Sequence, residues 1–385
     1  MSKRRKRDPF GKVLVLTILF ALLAAACFGG IRYLTQRRDA ELQSMIDEVN
    51  AENQAAQQTY VQQIAEFEAS LNRGGANEAW PSPPTGTGWE VVDLTSYPIE
   101  QQSARTVNRQ EAMYNGMLLV NEWHSRPLDF SEDTLIPARS GSGNAIRVHN
   151  NSVRLFPDAV NAWKELFTAA QVQKGYEYFM LGEDAYRSYE DQQEIFNDQK
   201  TKLSRRYTDE DDLIEATKRY VNFPGTSEFN TGLSAKVRLY LKGNAEVNAK
   251  DNDFFSSEEG IWLYENSWKY GLVFRFPLAD YPVKGTQDKS YKTGISKRLR
   301  VFRYVGKGNA AAMQAMGFCL EEYIDYLTEH PHIAVFENGT LRYEITRQYV
   351  GDEDDFQVIV TGKNGVRNTV VSLDNMGCAV VVFEY

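Results

Sequence analysis

Residues 224–237 read PGTSEFNTGLSAKV. The stretch is built like a hairpin, with Ser227 and Gly232 at turn-forming places and a β-prone run after them. Phe229 sits inside the turn and Lys236 follows in the run. What chemistry those two side chains bring to the hairpin decides how the rest of the chain is read.

Working outward, the neighbouring segments give a mixed pattern. GMLLVNEW (116–123) reads as a short buried strand. Asp158 to Gln173 reads as an amphipathic helix, because Val160, Trp163, Leu166, Phe167 and Ala170 recur at helical spacing. YEYFML (176–181) is a strand, and Ser188 is a natural N-cap for the helix that begins SYEDQQEIF. GIWLYENSWKYGLVFRFP (260–277) predicts a helix that stops near Gly271 and leads into a strand. NAAAMQAMGFCLEEYIDYL (309–327) reads as helical. The tail, 333–385, holds three β-rich runs, LRYEITRQYV, FQVIVTG and CAVVVFEY. The fold class is α+β with a small C-terminal β appendage.

Six pieces of this body, LLVNEWHSRPLDF, AYRSYEDQQEIF, PGTSEFNTGLSA, WLYENSWKYGLVFRFP, YKTGI and FRYVGKGNAAAM, occur in one order over roughly residues 117–327. Together they resemble the VanY-like D-alanyl-D-alanine carboxypeptidases, zinc enzymes that trim the D-Ala-D-Ala end of peptidoglycan stem peptides. The resemblance implies a VanY-like peptidase domain over 89–328, with 329–385 as a β-rich subdomain. It implies a hairpin of the form Ser-x-His-x-x-Gly-x-x-x-Asp, whose His and Asp hold zinc. Ser227 and Gly232 match it, but Phe229 stands at the His and Lys236 at the Asp. A later family motif, Glu-Pro-Trp-His before an aromatic residue and Arg-Tyr-Val-Gly, supplies the general base and the third zinc ligand. Counting back from Phe302–Gly306 puts Arg298 at the Glu, Leu299 and Arg300 at Pro and Trp, and Val301 at the His.

Four chemical positions therefore fail together. A catalytic zinc takes about three protein ligands from His, Asp/Glu or Cys and keeps one position for water. Phe and Val have no lone pair to give, and a Lys ammonium repels a dication. Without the metal, water keeps its high pKa and no hydroxide forms; a guanidinium does not act as a base. None of the four histidines, His124, His149, His330 and His332, falls on a matching position. No metal or other cofactor is expected, although the family uses zinc. Lys292-Thr293-Gly294 resembles a penicillin-binding motif, but no serine has Lys three places on, and HExxH and GxSxG are absent.

What the resemblance leaves is grip. Arg187 matches a family arginine that holds the peptide's terminal carboxylate, and Ser188, Gln192 and Ser227 match polar positions near it. A planar guanidinium suits a carboxylate. Two readings of Lys236 and Arg298 follow. In one they join Arg187 in a pocket that favours an anion; in the other they turn outward or pair with Glu183, Asp184 or Glu190.

The chain has 385 residues, with 42% apolar residues and 12% aromatics, enough for a substantial core. Its net charge of −9 argues against nucleic acid, whose binding depends on Lys and Arg neutralising phosphate. Of the three cysteines, Cys319 and Cys378 are either two buried thiols or, outside the cell, a pair. Residues 1–12 form a basic tail with six Lys/Arg, and 13–31 carry no charge. Nineteen helical residues span about 28 Å, close to the hydrocarbon thickness. The basic side stays in the cytoplasm, which puts the body outside the cell. Lipidation at Cys27 or cleavage near Ala24 and Ala26 are the rival readings of the same segment. Residues 35–72 read as a helical stalk whose Leu42, Ile46, Val49, Asn53, Ala56, Tyr60 and Phe67 fit a coiled-coil seam. The stalk is then a homodimer contact or a lone helix. Residues 73–88 are a Gly/Pro-rich linker.

The expectation is a membrane-anchored, extracytoplasmic pseudo-peptidase whose partners are the peptidoglycan stem peptide or an envelope protein. The alternative is an active D,D-carboxypeptidase that uses a metal site elsewhere.

Overall fold

In the computed structural model, Arg37 and residues 80–174, 178–182, 184–240, 246–247 and 254–385 are described. The basic tail, the apolar segment 13–31 with Cys27, the stalk (Arg37 apart), the first part of the linker and Glu183 lie outside the described residues. Among the described residues no helix is long and apolar enough to cross a membrane.

The elements run in this order. Strands β1 (Trp89–Asp93) and β2 (Ser103–Asn108) open the body, and β3 (Arg147–Val148) precedes helix α1 (Pro157–Lys174). Strand β4 (Tyr178–Leu181) leads to α2 (Tyr189–Leu203) and α3 (Glu210–Lys218). Then come β5 (Ser234–Tyr240), α4 (Glu258–Asn266), β6 (Leu272–Phe274) and β7 (Val301–Tyr304). Helices α5 (Lys307–Met316) and α6 (Leu320–Glu329) precede five strands: β8 (His332–Glu337), β9 (Thr340–Tyr349), β10 (Asp355–Val360), β11 (Asn368–Leu373) and β12 (Cys378–Glu384).

Two sheets organise the body. The central one has strand order β3-β4-β5-β7-β6, with residues 246–247 beside β5. The other is antiparallel, β1-β8-β9-β12-β11, and β2 pairs with β10. Helix α1 buries Val160, Trp163, Leu166 and Phe167 in a core shared with Leu233, Ala235 and Phe302 of the central sheet region. That same core takes Phe356, Val381 and Phe383 from the C-terminal strands. The tail is thus packed into the body, within a compact unit that spans Ser70–Tyr385.

Local chemistry explains the boundaries. Ser188 caps α2: its hydroxyl accepts from the Asp191 N–H, and Asp191 accepts back from the Ser188 N–H. The helix ending at Tyr270 stops at Gly271, whose φ of +82° only glycine adopts cheaply, and β6 follows.

Three expectations need correction. GMLLVNEW is buried but not a strand; its only ladder feature is an isolated bridge between Asn121 and His124. The Gly116 and Leu118 carbonyls accept instead from the Arg303 guanidinium, at 2.8 and 2.7 Å. Residues 309–327 are two helices, because Gly317 turns left-handed at φ +68°. The tail has five strands; His332–Glu337 and Asn368–Leu373 were not foreseen.

Candidate functional site

The hairpin read at the outset folds as a 3₁₀ turn, Glu228–Thr231, leading into β5. The Ser227 hydroxyl accepts from the Phe229 N–H at 3.3 Å, and the Asn230 side chain accepts from the Ser227 N–H at 3.2 Å. Gly232 closes the turn at φ +67°, and a Cβ there would stand 2.7 Å from both Leu135 and the Phe156 ring. The turn geometry that would present a ligand at 229 is therefore intact. The side chain it presents is a phenyl ring.

Arg187 lies against that ring, its guanidinium carbon 4.9 Å from the ring centroid. Its backbone N–H donates to the Phe229 carbonyl at 2.8 Å. Its two terminal nitrogens donate to Gln192 Oε1 and Asp184 Oδ1, both at 2.8 Å. Gln192 is buried and donates onward to the Asn222 carbonyl at 2.7 Å. Arg187 is thus held on three sides by Phe229, Gln192 and Asp184. Ser188 beside it is engaged as the α2 cap.

Lys236 and Val301 are Cα partners across β5 and β7. Val301 is 0% exposed. The Lys236 ammonium lies 3.9 Å from Asp184 Oδ2, so one carboxylate faces both Lys236 and Arg187. Arg298 is exposed and sits over the Tyr281 ring at 5.3 Å. Arg187, Gln192, Ser227 and Phe229 line an open cleft of about 710 Å³; Ser188, Lys236, Arg298 and Val301 are not part of its lining. The picture of three cations converging on one pocket is corrected accordingly: Lys236 turns to Asp184, and Arg298 packs on Tyr281.

These residues do not fit zinc. Two of the ligand positions carry hydrocarbon, and the third carries a cation already beside a carboxylate. Among the described residues, no group of three or more His, Cys, Asp or Glu side chains is placed to hold a metal ion. None of the four histidines lines the cleft. His124 contacts Asn121 at 3.0 Å, His330 contacts Asp93 at 2.8 Å, and His332 contacts the Tyr97 carbonyl at 2.9 Å and Glu344 at 3.0 Å.

Behind the Phe229 turn lies a charge network that the sequence reading missed. Glu228 is buried and accepts from Arg303 at 2.6 Å, Arg275 at 2.7 Å and Ser234. Arg275 also donates to both oxygens of Glu321, at 2.9 and 2.6 Å, and Asn121 donates to one of them. Burial by itself would raise the Glu228 carboxyl; the Arg303 and Arg275 guanidiniums overcome it and hold the group below the usual carboxylate range. Two carboxylates and two guanidiniums cancel, which is why the cluster tolerates burial. The signal was present in LVFRFP and VFRYV, where an arginine interrupts an otherwise apolar run and so demands a buried partner.

Residues 152–306 match the family described as VanY, D-alanyl-D-alanine carboxypeptidase. Over those residues the chain is VanY-like. It is 25% identical over 248 residues to a D-alanyl-D-alanine carboxypeptidase of Enterococcus faecium, covering 64% of this chain and 69% of that one. It is 28% identical over 251 residues to one of Enterococcus faecalis, covering 65% and 80%. A crystal structure of the vancomycin resistance D,D-dipeptidase VanXYg, in complex with a D-Ala-D-Ala phosphinate analogue, aligns with a TM-score of 0.51 at 23% identity. That alignment covers 74% of this chain and all of VanXYg, and it shows a shared fold. The VanY-like core therefore combines a mixed helix-and-sheet scaffold with an altered set of residues at the positions that the family motif reserves for metal.

Proposed function

We propose that this VanY-like chain is a membrane-anchored, extracytoplasmic protein that binds the carboxylate-ended stem peptide of peptidoglycan and does not cut it. One arrangement carries the reading. Phe229 and Val301 present hydrocarbon and Lys236 an ammonium facing Asp184, while the cleft in front of Phe229 keeps a volume of about 710 Å³. The positions that the family motif reserves for metal carry no donor, and a peptide still has room. In this reading Arg187 exchanges Asp184 for the peptide carboxylate, an exchange between two like partners for one planar guanidinium. Residues 13–31 serve as the anchor, and 35–72 set the reach from the membrane and pair two copies. An envelope protein that docks on the same face is the second kind of partner that this role admits.

The names of the enterococcal relatives favour a second reading, an active D,D-carboxypeptidase with its metal held elsewhere. One experiment separates the two. The full chain is titrated by calorimetry with a D-Ala-D-Ala-ended pentapeptide, and D-alanine release is followed with and without added zinc. Affinity in the millimolar range or better, lost in Arg187→Ala, with no D-alanine released, supports the binding role. D-alanine release that follows added zinc selects the enzyme. No measurable affinity rules out the binding role.

A further inference from the structure

A second cavity, of about 240 Å³, shares no lining residue with the peptide cleft. One wall is a face of α1: Asp158, Asn161, Ala162 and Glu165 fall at i, i+3, i+4 and i+7. Asp158, Asn161 and Glu165 are exposed on this face, and Ala162 between them is buried. Another wall is a single row across the C-terminal sheet. Glu384 of β12 is the Cα partner of Asn368 in β11 and of Tyr343 in β9, so the three side chains leave the same face. Tyr270 and Tyr304 add two further rings.

Gly306 to Asn309, the first turn of α5, also borders this space. The turn has no side-chain cap, so its leading N–H groups remain available as donors. Gly308 makes the seat tight: an added Cβ would stand 2.5 Å from Val382 and 3.0 Å from Tyr343.

Several polar side chains around the cavity are left without a partner. Among the described residues, the Asp158 and Glu384 carboxylates, the Asn161 amide and the hydroxyls of Tyr270, Tyr304 and Tyr343 have no hydrogen-bond or ion-pair partner. The lone cation of the lining, Lys307, is paired with Glu165 at 2.9 Å. Burial, with the nearby charges of Asp158 and Glu165, raises the Tyr304 hydroxyl well above its ordinary value, so it stays a donor.

This inventory selects a ligand class. Net negative charge turns away anions, and the positive end of α5 disfavours a fixed cation beside it. Carboxylates that accept, amides and helix N–H groups that donate, and half-buried tyrosine rings suit a ring with many hydroxyls on its edge and C–H groups on its faces. The volume lies just below the ~300 Å³ at which drug-sized pockets begin, the right scale for one sugar ring. We propose that this cavity is a carbohydrate site that takes an uncharged pyranose unit of a glycan, with Asp158, Asn161 and Glu384 reading its hydroxyls.

The site is independent of the peptide cleft and stands or falls apart from it. Its test is saturation-transfer NMR and calorimetric titration of the full chain with the neutral tetramer of N-acetylglucosamine. A cationic glucosamine tetramer and an anionic oligogalacturonate serve as charged counterparts. Asp158→Ala and Asn161→Ala change exposed positions on a long helix, and Arg187→Ala reports on the cleft. The expected result is saturable binding of the neutral tetramer, weakened about tenfold or more by either α1 variant and unchanged in Arg187→Ala. Four results overturn the proposal: no saturable binding, equal or tighter binding of a charged tetramer, binding untouched by both α1 variants, or binding lost in Arg187→Ala.

Discussion

Lys236 and Val301 stand directly opposite each other on neighbouring antiparallel strands, and their side chains leave the same face of the sheet. The family resemblance puts an Asp and a His at those two places. The backbone pairs these two places directly, and the side chains on them are an ammonium and an isopropyl group. Beside them the Phe229 turn keeps its Ser227 cap and its Gly232 closure. In the proposed reading the loss is confined to side chains.

That confinement makes restoration a direct test. A variant carrying Phe229→His, Lys236→Asp and Val301→His, together with Arg298→Glu, is expected to take up zinc near one equivalent per chain, measured by a chromophoric chelator competition. Failure to gain zinc in a folded variant would mean that the surrounding backbone has shifted from the geometry described here.

Glu228→Gln is expected to destabilise the chain by about 3–5 kcal/mol, because it leaves Arg275 and Arg303 buried with a weakened partner. Urea unfolding followed by tryptophan fluorescence checks it. A loss below about 1 kcal/mol would show that the network is not a buried ion cluster.

The same carboxyl predicts a pH dependence. A carboxyl held below its unfolded value contributes stability that is complete above the unfolded pKa of ~4.3 and is lost as pH falls through the lower folded value. Stability should therefore fall as pH drops below ~4.3. Glu228→Gln should flatten that fall in urea midpoints measured from neutral pH downward. An unchanged slope would remove Glu228 from the account.

Lys236→Met should behave differently. Its ion pair with Asp184 is 3.9 Å long and joins side chains that are 19% and 33% exposed. Such pairs contribute about 0–1 kcal/mol, so stability should change by less than about 1 kcal/mol in the same assay. A larger loss would assign Lys236 a structural duty that this geometry does not give it.

Cys319 and Cys378 are both buried. Burial, reinforced by the Glu321 charge, pushes the Cys319 thiol up to about 12, so little thiolate exists at pH 8. Iodoacetamide is expected to label neither residue in the native chain and both after denaturation, read by peptide mass spectrometry. Isolation of a Cys319–Cys378 disulfide would contradict this expectation.

The sequence was most informative where local chemistry decides the outcome. Ser188 with Asp191, and Gly271 before LVF, marked element ends that depend only on nearby atoms. The segments 116–123 and 309–327 misled for the opposite reason. The first is apolar like a strand, but its carbonyls are bound by Arg303, 185 residues or more away in the chain. The second contains Gly317, whose left-handed turn becomes evident only once α6 has to fold back. Strand β11 was missed because NTVVSL is short and takes its place from pairing with β12. At the site, the four altered positions were legible only through the family resemblance. The commitment of Arg187 to Asp184, and the outward course of Arg298, depend on contacts that no spacing encodes.

The central claim is that Phe229, Lys236 and Val301, at the positions the family motif reserves for metal, cannot hold one. The most direct measurement is the zinc content of the purified full chain, by mass spectrometry of the metal after loading with excess zinc and exhaustive dialysis. Far less than one zinc per chain is the predicted result. One tightly held zinc per chain, lost when Asp184, Gln192 or Glu122 of the cleft is replaced, would contradict it.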